Sequence, residues 1–386
     1  MICNKKTIPI IDCTDLYHPH QDVGDNFDIL APYAMPEIDL RAVILDTTQR
    51  LRQPPVERPD VDPNLFHGDP GNRDPGFIPI TQCNYIFNRH VPAAVSPFQP
   101  LKSVDDPATD VPGFEQLGIE LFLRVLQESE TPVDVLVFCS CRTLAAALNR
   151  EPDLLRKKIR RLHLCIGTTT GAVFDMDWAN TKGVPPAPGS PGFIEWNVAL
   201  DPHAFVRVLR SDLPMSLYPC ASEHGPFALD RHNTFWDLGH LDWVLKMSPR
   251  LRNYMAYAFT GSQRLDFLRA IDGPCPAAAE EFFNVCRRHP VWETAVWLEV
   301  SGRQLVRRAD GTSRIIHPDE RRSDDQLIPG SQQNCRLTRI DNSGRFDFEL
   351  TTDSSNVTIF DRGTDVLAYQ AAAREAVPAW YCSFQR

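Results

Sequence analysis

Residues 8–30 read IPIIDCTDLYHPHQDVGDNFDIL, and this stretch decides the fold. The apolar run at 8–11 predicts a buried parallel strand, and a short helix is predicted to end before Pro36. Ligands of open α/β sheets bind beyond the carboxyl ends of the strands. Carboxylates crowded at such a place repel one another unless solvent or a cation separates them, and hard divalent ions take oxygen ligands. The stretch therefore predicts a metal-dependent site on the first strand, among the aspartates at 12, 15, 22, 25 and 28.

A solvated acidic loop is the alternative interpretation of the same aspartates. In that interpretation Asp25 or Asn26 caps the following helix through its side-chain oxygen. Asp12 would then support the loop by accepting backbone N–H bonds. The residues alone leave both interpretations open.

Apolar strand-like runs and helical runs alternate along most of the remaining chain. Such alternation, with crossovers long enough for helices, predicts an α/β fold with a mainly parallel, open sheet flanked by helices. The predicted strands are 38–46, 91–95, 133–140, 161–169 and 215–220, and the predicted helices are 80–88, 118–129, 143–150, 202–211 and a region at 235–268.

The pattern changes near residue 298, where short alternating strands such as GRFDFELTT and NVTIFD follow one another. This change predicts an α/β domain at 1–300 and a β-rich C-terminal extension at 301–386, packed on the same domain. Proline and glycine concentrate in two excursions, at 53–79 and 182–192. We expect the first of them to be disordered or to form a lid.

Composition excludes several classes of protein. A formal net charge of −10 with scattered acids gives no electrostatic footprint for nucleic acid. The 11 cysteines follow no metal-ligand spacing, and the N-terminus lacks an apolar signal region, so we expect reduced thiols and a cytoplasmic location. No apolar stretch is long enough to cross a bilayer, so no membrane partner is expected.

Five segments taken together resemble the inosine/uridine-preferring nucleoside hydrolases, over roughly residues 7–300. After the acidic loop they are MPEIDLRAV, RHVPAAVSP, PVDVLVFCSCRTLAAALNREPDLLRKKIRRLHLCIG, EWNVALDPHAFVRVLRSDLPMSLYP and HPVWETAV. The resemblance implies an N-ribohydrolase that uses calcium to cleave the N-glycosidic bond of a nucleoside or related N-riboside. Cleavage of this kind passes through an oxocarbenium-like sugar, which nearby carboxylates stabilise.

The resemblance also implies roles for particular residues. Asp22 or Asp15 would be the general base, because the insertion between them leaves the register open. Asp25 and Asn26 compete with each other for a place in the motif's aspartate pair, which binds calcium and ribose hydroxyls. The implied metal ligands are Asp12, Asp22, Asp28, Glu293 and the main-chain carbonyl of Arg142; the implied substrate-binding residues are Asp25, Asn26, Glu195, Asn197 and Trp292.

Several residues depart from the family pattern. Trp292 stands where a histidine often protonates the leaving base, and it could instead stack on that base. Glu293 takes the place of an aspartate, and the paired aspartates are not adjacent. An altered relative that binds a ribosyl ligand without turnover is therefore the alternative function. The family also implies a homodimer or homotetramer.

Overall fold

The computed structural model describes residues 7–20, 22–49, 73–169, 195–222 and 224–384. Its strands are β1 (Ile8–Thr14), β2 (Tyr17–His18), β3 (Ile38–Leu45), β4 (Asp74–Pro75), β5 (Ala93–Val95), β6 (Val133–Phe138), β7 (Ile159–Leu164), β8 (Met215–Leu217), β9 (Trp236–Asp237), β10 (Pro290–Val291), β11 (Gln304–Arg307), β12 (Ser313–Ile316), β13 (Gln326–Leu327), β14 (Ser331–Ile340), β15 (Phe346–Leu350) and β16 (Val357–Asp361).

The helices connect these strands and cover the main sheet. They are α1 (Gly24–Ala34), α2 (Phe77–Phe87), α3 (Gly113–Glu128), α4 (Arg142–Arg150), α5 (Pro152–Lys158), α6 (Trp196–Leu200), α7 (Pro202–Leu209), α8 (Pro249–Phe259), α9 (Phe267–Asp272), α10 (Ala277–Val285), α11 (Thr294–Ser301) and α12 (Val366–Cys382). No helix in the described ranges is long and apolar enough to cross a membrane.

A nine-stranded sheet has the order β15-β14-β16-β8-β7-β6-β1-β3-β5. The strands from β8 to β5 pair in parallel, as the alternating pattern predicts. The chain runs outward from β1 through β3 to β5 and then returns to β6 on the other side of β1. This reversal makes the carboxyl ends of β1 and β6 a topological switch point, the place where such sheets bind ligands.

Two hydrophobic clusters cover the two faces of this sheet. Neighbouring side chains of a strand point to opposite faces, so Ile10 packs into one cluster and Ile11 into the other. Both side chains are fully buried, and each burial stabilises the native state by ~1.5–3 kcal/mol. The run that the sequence identifies as a buried strand is therefore the centre of the sheet.

The C-terminal segment adds the strands β14, β15 and β16 to the main sheet, and α12 then packs against one of the two hydrophobic clusters. β16 pairs in parallel with β8, and β14 pairs antiparallel with β16 and β15, so the predicted β-rich C-terminal part is confirmed. The sequence analysis did not predict α12, whose Tyr369 and Trp380 belong to the same cluster as Trp236 and Trp297. The division into 1–300 and 301–386 stays a prediction.

Three local expectations differ from the structure. Residues 53–72 of the first excursion lie outside the described residues. Its last residues, by contrast, form β4 and the start of α2 and are therefore ordered. The excursion at 182–192 also lies outside the described residues. The region 235–268 is not continuously helical, because β9 and a 3-10 turn at Asp242–Lys246 precede α8.

Candidate acidic site

The loop after β1 and the first turns of α1 hold the N-terminal aspartates. Asp12 lies within β1 and is 1% exposed, and Asp15 follows the end of this strand. Asp22 is half-buried, and its Oδ1 accepts a bond of 2.7 Å from the N–H of Gly24 at the start of α1. α1 has no side-chain N-cap bond, so Asp25, which sits in its first turn, does not cap it. The solvated-loop interpretation is wrong, because Asp12, Asp15 and Asp25 are buried.

Glu293 reaches this cluster from the other end of the chain. It precedes α11, and its carboxyl group lies close enough to that of Asp28 for its negative charge to raise the pKa of Asp28, which burial raises first. Thr294 Oγ1 also donates to Asp28 Oδ1 over 3.3 Å. Two neighbouring buried carboxyl groups repel one another unless one is protonated or a cation lies between them. The structure thus joins the first helix to α11 through an acid pair.

Burial and mutual repulsion raise the pKa values of the whole cluster. The pKa of Asp12 rises to about 8, first because burial disfavours its charge and then because of the charge of Glu293. Burial also raises the pKa of Asp15, Asp25 and Asp28 well above the ordinary value, and the charge of Glu293 adds to each. Acids this strongly perturbed are frequent at functional sites.

The carboxylate oxygens of this cluster are the type of ligand that a hard cation prefers. Among the described residues, Asp12 Oδ1, Asp25 Oδ2 and Asp28 Oδ2 are buried and accept no hydrogen bond. A buried oxygen without a donor is costly, and a calcium ion takes six to eight oxygen ligands. Within the described ranges no three acidic, histidine or cysteine side chains already surround a common point. A bound ion would therefore require these carboxylates to turn toward one centre.

The side chain of Arg142 makes structural contacts, whereas the residue was expected to contribute through its backbone. The expected contribution was the main-chain carbonyl. The guanidinium is fully buried and donates to Asp201 Oδ2 over 3.3 Å, to Asp46 Oδ1 over 3.4 Å and to the carbonyl of Pro97 over 2.6 Å. It therefore ties the loops after β3 and β5 to the start of α7, while the role of its carbonyl stays a prediction.

The segment EWN, at 195–197, begins a helix. Glu195 is the N-cap of α6, and its carboxylate accepts backbone N–H bonds from Asn197 (3.0 Å), Val198 (3.2 Å) and Gly167 (2.9 Å). Glu195 thus precedes the helix and Asn197 lies in its first turn, so the two side chains do not project from one face of an extended strand. Burial raises the pKa of Glu195 to about 7 although these bonds oppose the rise.

Asn197 and Glu195 nevertheless lie at the same edge of the sheet as the acids. Asn197 Nδ2 donates to the carbonyl of Cys165, directly after β7, over 3.4 Å. The charges of Glu195 and Glu293 both act on the Cys165 thiol, whose pKa is raised chiefly by burial. The next segment behaves as the sequence indicates, with Asp201 capping α7 and Pro202 at its first position.

Trp292 and Asn26 make specific contacts beside the cluster. Trp292 packs against Phe227 and Phe235 with ring centroids 5.5 and 5.7 Å away, and its Nε1 donates to the carbonyl of Pro226 over 3.1 Å. Its backbone N–H donates to Glu293 Oε2 over 3.3 Å. Asn26 Oδ1 accepts from Tyr254 on α8 over 3.0 Å. Both residues are fixed in place before any ligand binds.

Two residues close to the acidic cluster, Asp46 and Tyr381, were not identified from the sequence. Asp46 follows β3, and its Oδ2 accepts from the N–H of Ser140 after β6 over 3.1 Å. Its position at a strand end was the available signal. Tyr381 on α12 is buried, with charges on Asp28 and Glu293 acting on its hydroxyl. Nothing in the local pattern near residue 381 indicates this approach.

The fold and these residues define an open α/β sheet protein with an acidic site at the switch point. No family model and no curated protein matches the sequence. Among solved structures it is similar to a plant nucleoside hydrolase, with 12% identity, 96% of this chain and 99% of that chain covered, and a TM-score of 0.50. A purine-preferring ribonucleoside hydrolase from Gardnerella vaginalis gives 12% identity, coverage of 97% and 99%, and a TM-score of 0.50. The chain therefore has the nucleoside hydrolase fold.

Proposed function

We propose that the protein is a calcium-dependent N-ribohydrolase that cleaves the N-glycosidic bond of a nucleoside or related N-riboside. The observation that carries this proposal is the acid pair of Asp28 and Glu293, which lies in one buried cluster with Asp12 and Asp25. That cluster occupies the ligand-binding edge of a sheet shared with nucleoside hydrolases. Its unsatisfied oxygens support the metal.

Each acid would have a separate task in this reaction. Asp12, Asp28 and Glu293 would hold the ion, with further oxygens from Asp22 and the Arg142 carbonyl. Bound calcium would lower the pKa of an attacking water. Asp22 is favoured over Asp15 as the base, because it is half-buried and oriented by Gly24, whereas Asp15 is 5% exposed; burial raises the pKa of both carboxyl groups.

The substrate-binding residues would orient the ribose and the base. Asp25, Asn26 and Asn197 would contact the sugar hydroxyls, and Trp292 would line the base. The negative charge of the cluster would stabilise the positive charge that develops on the sugar in the transition state. A homodimer or homotetramer and a cytoplasmic location belong to the same proposal.

A ribosyl-binding relative without turnover is the second candidate function. Glu195 favours it, because all three of its accepted bonds come from the backbone and leave its carboxylate little capacity for a ribose. Trp292 favours it too, since its indole N–H is already bound to Pro226 and an indole offers no proton for a leaving base.

Release of free ribose from a panel of nucleosides, measured with calcium and with chelator, separates the two functions. Ribose formed only in calcium supports the hydrolase. Nucleoside binding by calorimetry with no turnover of any panel member supports the non-catalytic relative.

Asp28→Asn tests the site assignment in the same experiment. We expect this variant to lose both turnover and the calcium-dependent rise in melting temperature, because a bound ion stabilises the native state by mass action. Asp105→Asn, which removes an exposed carboxylate, is the matched control. An undiminished calcium effect in Asp28→Asn would contradict the assignment.

A further inference from the structure

The loop that follows β8, residues 220–228, is anchored beside the acidic cluster at its first residues. The N–H of Cys220 donates to the carbonyl of Gly167 over 3.0 Å, and the N–H of Gly167 donates to the carboxylate of Glu195 over 2.9 Å. Burial raises the pKa of the Cys220 thiol, and the charges of Glu195 and Glu293 add to the rise. The start of the loop therefore lies within electrostatic reach of the cluster.

The last residues of the same loop contact Trp292. The carbonyl of Pro226 accepts the indole N–H of Trp292 over 3.1 Å, and the exposed ring of Phe227 packs against the indole with centroids 5.5 Å apart. The backbone N–H of Trp292 donates to Glu293, a member of the acid pair. The loop is thus attached to the surroundings of the cluster on both sides of its centre.

The centre of the loop carries a histidine that is bound to an aspartate. His224 is exposed, and its Nδ1 lies 3.0 Å from Asp230 Oδ2. The hydroxyl of Ser222 donates to the same carboxylate oxygen and accepts the backbone N–H of His224 over 3.1 Å. An ionised carboxylate only accepts hydrogen bonds, so Nδ1 carries a proton, and the imidazole gains or loses its charge at Nε2.

The proposed reaction still needs a proton for the leaving base. A departing nucleobase carries negative charge unless one of its ring nitrogens gains a proton, and a side chain positioned to give that proton contributes about 10²–10⁴-fold. Trp292, the residue proposed to line the base, has only an indole N–H, which Pro226 already accepts. Among the described residues of the loop, His224 is the one whose side chain can both hold and release a proton near neutral pH.

We propose that His224 is the general acid that protonates the leaving base and that Asp230 positions its imidazole. The bond between C1′ and the base nitrogen breaks, its electron pair goes to the base, and Nε2 of His224 gives its proton to a ring nitrogen of that base. The water activated by Asp22 adds its oxygen to C1′ and gives its proton to Asp22. Solvent then carries a proton from Asp22 back to His224. This inference rests on the proposed function.

Turnover of two ribosides by the full chain in calcium tests this role. One is the nucleoside of the panel that is hydrolysed fastest, and the other is 4-nitrophenyl β-D-ribofuranoside, whose phenolate leaves without a proton. We expect His224→Gln to lower kcat for the nucleoside by about a hundredfold, as for the loss of a general acid, and to change kcat for the nitrophenyl riboside little. Asp230→Asn should cause a smaller loss of the same kind.

His317→Gln is the matched control, because His317 also pairs with an aspartate, Asp319 at 3.3 Å, but follows β12 in the C-terminal segment. We expect it to hydrolyse both ribosides as the wild type does.

Equal losses for both ribosides in His224→Gln would overturn the inference, because a structural role does not distinguish between leaving groups. Full nucleoside turnover by His224→Gln would overturn it as well. A wild type that hydrolyses the nitrophenyl riboside but no nucleoside would show that the site cleaves ribosides without an acid, so this role alone would fail. A wild type that hydrolyses neither riboside would refute the hydrolase and this role together.

Discussion

Replacing Asp12 by asparagine should stabilise the protein when calcium is absent. Asp12 is buried in β1, its Oδ1 has no donor among the described residues, and burial followed by the charge of Glu293 raises its pKa to about 8. A carboxyl group with a raised native pKa holds its proton more tightly in the native state than in the unfolded state. The stability it contributes is therefore full below its ordinary pKa of 3.8 and is lost as the pH rises toward 8.

The size of this loss of stability at pH 7 follows from the difference between pH 7 and the ordinary pKa of 3.8. Each pH unit above 3.8 costs the native state ~1.4 kcal/mol while Asp12 must remain protonated, which gives about 4 kcal/mol at pH 7. Asparagine needs no proton, so Asp12→Asn should raise the free energy of unfolding by about 2–4 kcal/mol, the lower figure allowing for local relaxation. The gain should shrink toward pH 4.

Urea denaturation in chelator and in calcium, at pH 5 and pH 7, measures this effect. In calcium the wild type should recover stability, because at a concentration 100 times its Kd a ligand contributes ~2.7 kcal/mol, whereas the variant should gain much less. A variant that is less stable than the wild type at pH 7 in chelator would refute the reasoning. So would a difference between the two proteins that is the same at both pH values.

Three further changes test other parts of the site. The Kd for calcium should fall by up to about tenfold per pH unit between pH 6 and pH 8, because the ion must displace the proton of Asp12; calcium titrations that show no pH dependence and no proton release would contradict this. Arg142→Met should lower the free energy of unfolding by about 3–5 kcal/mol, because Asp46 and Asp201 lose their buried cation; a loss below 1 kcal/mol in urea denaturation would show that the pairs are not structural. Glu195→Gln should destabilise by about 1–2 kcal/mol equally in calcium and in chelator, because an amide cannot accept all three backbone bonds; an unchanged stability with a raised KM would instead assign Glu195 to the ribose.

The parallel sheet could be predicted because each of its strands has a recognisable apolar pattern in the local sequence. Runs such as 8–11 and 135–138 are apolar on both faces, as strands covered by helices must be. The long-range partners of the acids could not be predicted in this way. Asp28 meets Glu293 only after the sheet and α11 have packed, so a motif resemblance was the sole indication of that contact.

The errors in the prediction also have physical causes. The helix α6 was not predicted, because its five residues are too few to show a helical period. The buried network of Arg142 joins residues that are distant in sequence, which no periodicity reveals. α12 did offer a signal in the sequence, because an aspartate at position 365 precedes an alanine-rich run. In the structure Asp365 is the N-cap of this helix and accepts from the N–H of Ala368.

The acidic centre unites parts of the chain that lie far apart in sequence and are therefore synthesised at different times. Asp12 belongs to β1, whereas Tyr381 comes from α12, which is synthesised much later. Until then the nascent polypeptide carries its aspartates without their final neighbours. The centre can therefore be completed only once α12 has been synthesised and has packed, and a tag fused behind Cys382 would sit next to the helix that completes it.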